Sequence, residues 1–259
     1  MSLQPLRSAF RVVARSLNLA EFVSRRQDAR GDIFASDAAS GVVAGEDSYR
    51  IMTIGEGTAV GLGVRSHEFG AAAQCARRLA RAAGSGVYWS SVGFPDGRLR
   101  SAPAIASSAA TFARVDVVIL MIGITDALRL TSRASWRRLI AITVDQLSAH
   151  LASDGQVLVA EIPPMDNAGS ISRAARLASG YQARVLNRIT REVVATRPRV
   201  SSVAFPASLH QELWLPESRD SSYRRMYAEW GAALAAAVTT QPISRPVAFP
   251  VATREPDAA

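Results

Sequence analysis

The chain has 259 residues, 48% of them apolar and 20% charged, with 30 basic against 22 acidic side chains and a formal net charge of +8. Every basic residue is arginine, which excludes Schiff-base chemistry and a Walker-type phosphate loop, since both need a lysine amine. A single cysteine rules out an internal disulfide and a cysteine-rich zinc site, and three histidines, His67, His150 and His210, leave few candidates for a general base or a metal cluster.

This length and apolar content fit one α/β domain with a sizeable core. The arginines are spread along the chain with no dense basic run and no interleaved aromatics, so no nucleic-acid partner is expected. No apolar stretch reaches the roughly 20 residues needed to cross a bilayer. Arg7, Arg11 and Arg15 interrupt any signal-peptide core, and a cytoplasmic location is expected.

Leu6, Phe10, Val13 and Leu17 recur at helical spacing between those arginines and predict a basic amphipathic helix. Such a helix more commonly packs on its own domain than lies on a membrane surface. Asp28 to Asp47 is rich in Gly, Ala, Ser and Asp and reads as a loop, so residues 1–47 form a helix-and-loop segment ahead of a domain at 48–239. Strands are predicted at Arg50–Ile54, Val87–Val92, Val115–Ile122, Gln156–Ile162 and Val200–Phe205. Helices alternate with them at Glu68–Ala83, Trp136–Leu151 with Ser132 or Ser135 as N-cap, Leu177–Val193, and Tyr223–Val238. This alternation predicts a three-layer α/β/α sandwich on a doubly wound, flavodoxin-like parallel sheet of about five strands, with its site at the strands' carboxyl ends. The Pro-rich residues 240–259 read as an extended tail.

Two of those ends carry candidate chemistry. After the first strand comes Gly55-Glu56-Gly57-Thr58-Ala59-Val60-Gly61-Leu62-Gly63, and after the third Gly123-Ile124-Thr125-Asp126-Ala127-Leu128-Arg129. A Gly-x-Gly turn between strand and helix could cradle a phosphate, which makes nucleotide binding one alternative. A dinucleotide site would want the helix to start at once and an acid closing the next strand, and neither is present.

The GEGTAVGLGV turn, the MIGITDALRLTS turn, the VLVAEIPPM strand and the final helix with Tyr223, Tyr227 and Ala228 together resemble the SGNH (GDSL) hydrolase family, over roughly residues 50–238. The resemblance implies a serine esterase or acyltransferase ancestry, with a nucleophile at the end of the first strand and a D-x-x-H segment before the last helix. It also implies an oxyanion hole built from the nucleophile's N–H, a glycine after the second strand and an asparagine of the third block. Carried over residue by residue, it puts Gly57 in the place of the serine and Thr125 in that of the asparagine. Leu215 takes the place of the acid and Ser218 that of the base; a one-residue shift gives Trp214 and Glu217 instead. Glu56, Thr58, Gly123 and Asp126 keep the family's pattern, and the second-block glycine is Gly97 or Gly93.

Serine is a poor nucleophile without a positioned imidazole, and here nucleophile, base, acid and oxyanion amide are replaced together. A degenerate, non-catalytic member is therefore expected. It would use no metal or cofactor and would bind a small acylated or carbohydrate-like ligand, or a protein partner, in a pocket formed by Glu56, Gly57, Thr58, Gly93, Gly97, Gly123, Thr125, Asp126 and His210. The alternative is an active hydrolase with relocated residues, for which His210, or His67 at the rim of the first loop, is the candidate base. His150 falls on the polar face of its helix, and Cys75 reads as a small core residue.

Overall fold

The computed structural model describes residues 34–46, 48–94, 96–167, 171–210 and 220–238. The expected N-terminal helix, the Pro-rich tail, Leu215 and Ser218 lie outside the described residues.

Six strands form one sheet: β1 (Ser40–Val43), β2 (Tyr49–Gly55), β3 (Val87–Gly93), β4 (Val117–Met121), β5 (Gln156–Ala160) and β6 (Val200–Val203), in the order β1-β3-β2-β4-β5-β6. All neighbours are parallel except β1, which pairs antiparallel with β3 at the edge. The expected loop before Asp47 thus contains a sixth strand, and the sheet begins ahead of the boundary placed at residue 48. Four residues, Ser-Gly-Val-Val, are too short to signal a strand by alternation; what fixes β1 is Gly41, where a Cβ would meet the Trp89 indole.

The helices are α1 (Ala71–Ala83), α2 (Ala102–Ala106), α3 (Ala109–Phe112), α4 (Ile124–Leu128), α5 (Arg133–His150), α6 (Arg173–Val194) and α7 (Asp220–Ala237). Helices α1 and α7 cover one face of the sheet, and α2, α3, α5 and α6 the other. Strand β4 shows how the sequence drives this: Val117, Ile119 and Met121 enter the first core, Val118 and Leu120 the second, so an unbroken apolar run is buried on both sides. Ser132 caps α5 by accepting from Ser135 N–H at 3.2 Å. On α6 the expected apolar stripe of Leu177, Tyr181, Val185, Ile189 and Val193 holds from Val185 on, but Leu177 and Tyr181 are exposed, and the first turns bury Ala175, Ser179 and Gln182 instead. Helix α7 packs close on α1, where Gly231 lies against Gln74 and Cys75, and Cys75 is a buried free thiol, as expected. No helix among the described residues is long and apolar enough to cross a membrane.

Candidate functional site

The carboxyl end of β2 is held from both sides, by Glu56 N–H donating to Met121 O at 3.0 Å and Phe94 N–H donating to Gly55 O at 2.6 Å. Gly55 has φ +151°, and any Cβ there would overlap the Met121 carbonyl, so only glycine lets the chain leave the sheet this way. The chain then makes a 3-10 turn, Gly57–Val60, instead of the α-helix a phosphate loop needs. The amides of Glu56, Ala59, Gly61 and Leu62 are bonded to backbone carbonyls, and α1 starts only at Ala71. That geometry lends the nucleotide alternative no support.

Glu56 is the centre of the site. Its Oε1 accepts from Ile124 N–H at 2.6 Å, and its Oε2 accepts from Thr125 N–H at 3.0 Å and Thr125 Oγ1 at 2.7 Å. The first turn of α4 is thereby capped by a carboxyl from β2. Burial pushes the Glu56 carboxyl up to about 7, with Asp126 adding a little and the three hydrogen bonds opposing. Gly97, with φ +58°, packs on this pair: a Cβ there would lie 3.5 Å from both Glu56 Cβ and Thr125 Oγ1. Of the two candidate glycines, Gly97 is the one that packs on Glu56 and Thr125, while Gly93 is exposed and adjoins Val60. The Thr125 hydroxyl, expected to replace an amide donor, is already bonded to Glu56.

Asp126 serves the scaffold rather than the pocket. It is 1% exposed, its Oδ2 accepts from Leu99 N–H at 2.8 Å and its Oδ1 from Thr131 Oγ1 at 2.6 Å, tying α4 to the segment after β3. Asp126→Ala leaves both donors buried and unsatisfied and should cost about 2–4 kcal/mol in urea unfolding, whereas Asp126→Asn, which keeps an acceptor, should lose less than half as much.

Glu56 and Thr58 line a narrow cleft of about 10 Å³ between the ends of β2, β4 and β5, with Ile122, Ile124, Ile162, Pro163 and Trp230 as its apolar walls. The Trp230 indole N–H is buried and meets no acceptor among the described residues. Sequence reasoning missed these walls, although Ile122–Ile124 and Ile162–Pro163 follow from the strand-end rule itself. Trp230 sits on α7, which the family pattern marks through Tyr223, Tyr227 and Ala228; the Tyr227 phenol donates to Leu62 O at 2.7 Å and anchors the turn.

No histidine lines the cleft. His67 is buried rather than exposed at a rim: Nδ1 lies 2.9 Å from Asp37 Oδ1, and its own N–H donates to the same oxygen at 2.8 Å. Bonds from Ser66 and His67 hold the Asp37 carboxyl down at about 2. This pair fastens the segment before β1 to the loop before α1, a link that no sequence spacing announces. His210 is exposed, with Nε2 3.2 Å from Phe205 O and its ring stacked over Phe205 at 6.2 Å. His150 ends α5, the helix that runs between the carboxyl end of β4 and the start of the adjacent parallel strand β5.

Solved structures place this architecture. A lipase from a goat rumen metagenome superposes with a TM-score of 0.56 at 12% identity, over 71% of this chain and 97% of its own. Est24, a carbohydrate acetylesterase from Sinorhizobium meliloti, gives 0.54 at 15% identity over 73% and 97%. A member of the lipolytic G-D-S-L family from Veillonella parvula gives 0.55 at 13% over 73% and 100%. No family model and no curated protein sequence matches the chain. The fold is thus that of the SGNH hydrolases, and at such identities the likeness carries the fold alone.

Proposed function

We propose that the protein is a non-catalytic binding member of the SGNH hydrolase fold, holding a small acylated or sugar-like ligand at the strand ends. The observation that carries this reading is Gly57: the turn, the buried acid before it and the glycine facing it are all kept, while the place of the nucleophile has no side chain. The Thr125 hydroxyl, already donated to Glu56, further weakens any oxyanion hole. At about 10 Å³ the cleft admits about one water-sized group between its apolar walls, which excludes a long acyl chain and leaves room at most for the methyl end of a short one. The acetylesterase activity named for Est24 belongs to that protein and serves here only to suggest the ligand class. Purified protein offered a panel of nitrophenyl acetate, propionate and butyrate should release nitrophenol at the rate of buffer alone; saturable turnover would overturn the reading.

A second reading is favoured by one observation, a carboxyl at Glu56 that titrates near neutrality and lines the cleft. Such a group could draw a proton from water attacking an ester, with no covalent intermediate. Turnover that disappears in Glu56→Gln would establish this reading over the first.

A further inference from the structure

We propose that the Trp230 indole N–H is the anchoring donor of the cleft and receives an uncharged oxygen of the ligand, a carbonyl or a hydroxyl. The inference rests on the ligand-binding reading above and fixes which atom of the ligand enters, oxygen rather than carbon. Trp230, on α7, is among the residues that line the cleft at the ends of β2, β4 and β5. It is 2% exposed, and its Nε1 is buried with no acceptor among the described residues. Trp136 is the contrast: it is as deeply buried, and its Nε1 donates to Thr190 Oγ1 at 3.0 Å. The Phe205 ring stands at 81° to the Trp230 ring with 4.9 Å between centroids, and it can offer the N–H only a π face, a weaker acceptor than oxygen.

Size, polarity and charge of the cleft select the group. About 10 Å³ admits one water-sized group, and a carbonyl or hydroxyl oxygen is of that size. A buried donor left without an acceptor is unfavourable, so an oxygen entering the cleft gives the indole N–H a partner that a methyl group would deny it. The Ile122, Ile124, Ile162 and Pro163 walls suit the carbon that carries this oxygen, and one placed donor among apolar walls is what orients a small ligand. The charged residues of the lining are the acids Glu56 and Glu161, the second paired with Arg191 at 2.7 Å, and none is basic, so an anionic group gains no counter-charge there.

The full chain has four tryptophans, so a proton–nitrogen correlation spectrum shows few enough indole N–H signals to follow each one, with that of Trp230 assigned through the backbone of α7. Acetamide supplies a carbonyl, glucose supplies hydroxyls, and sodium acetate supplies an anion; each is titrated into the millimolar range. Acetamide, glucose or both should move the Trp230 indole proton downfield with saturation, and acetate should bind more weakly, while the Trp136 indole, bonded to Thr190, stays in place. A response to acetamide alone assigns a carbonyl and to glucose alone a hydroxyl. Followed at the Ile124 amide, binding should weaken about three- to tenfold in Trp230→Phe, which keeps an aromatic wall and removes the donor. A Trp230 indole unmoved by both uncharged compounds, acetate binding more tightly than either, or affinity unchanged in a folded Trp230→Phe overturns the proposal. If Trp230→Phe does not fold, by its circular dichroism melt, the indole shift in the natural chain decides. Saturable shifts at the cleft amides with a still Trp230 indole remove the role of Trp230 and leave the ligand-binding reading, whereas ester turnover together with the indole shift removes the silent-site reading and leaves this donor.

Discussion

A chain carrying Gly57→Ser, Leu215→Asp and Ser218→His together is expected to hydrolyse nitrophenyl acetate on the order of 10² faster than the natural chain, the low end of what a positioned general base contributes. The site is built to accept the first of these changes. Gly57 does not have a positive φ, and the nearest atoms a Cβ there would meet belong to the Leu62 side chain, at 3.1 Å from Cδ2, which can move a few tenths of an ångström. A serine at this place would begin a 3-10 turn braced by Thr53 Oγ1, which donates to Ala59 O at 3.2 Å, so its hydroxyl would be presented from a fixed backbone. Adding Thr125→Asn should raise the rate further, since an oxyanion donor contributes roughly 10² to 10³ in such enzymes. Steady-state kinetics on the triple variant give the answer. A folded but silent variant would mean that the acid and base belong at other positions or that the cleft does not admit an ester.

Glu56 should make stability depend on pH in an unusual direction. Its carboxyl is raised on folding from 4.5 to about 7, mainly by burial, so the folded state holds the proton more tightly than the unfolded chain. The stabilisation from this group is fully present below pH 4.5 and is lost as pH rises through about 7. A shift of that size corresponds to about 3 kcal/mol. Urea unfolding between pH 4.5 and 8 should therefore show a loss of that order that is missing in Glu56→Gln. The variant should itself be less stable at neutral pH, because an amide cannot accept from Ile124 N–H, Thr125 N–H and Thr125 Oγ1 at once. Paired carboxylates such as Asp37 contribute the opposite slope, but at lower pH, since that carboxyl is held at about 2. Identical pH profiles for the two proteins would contradict the assignment.

The alternation of apolar runs with helical periods was enough to place the five parallel strands and the long helices, because strands buried on both faces, like β4, write their burial directly into composition. The blocks around Glu56, Gly97 and Thr125 were legible for the same reason: a loop at a strand's carboxyl end needs glycines, acids and small hydroxyls for its geometry. What stayed hidden depends on contacts distant in sequence. Strand β1 pairs with β3 and needs Gly41 to lie against the Trp89 indole, and the buried His67 is bonded to Asp37 from the other side of β1 and β2. Asp126 has the sequence signature of a site residue, yet Leu99 N–H and Thr131 Oγ1 turn it into a brace. Trp230 carries no local motif; its buried indole N–H, which meets no acceptor among the described residues, marks it only in the structure.

The central claim, that the nucleophile's place is held by a residue unable to form a covalent bond to an acyl or phosphonyl group, is tested most directly by intact-mass spectrometry of the natural chain after incubation with a fluorophosphonate. The account predicts a mass identical to that of the untreated protein, with the adduct appearing only once Gly57→Ser is introduced together with its acid and base. A stoichiometric adduct on the natural chain would contradict it, and the modified residue would then locate a nucleophile other than position 57.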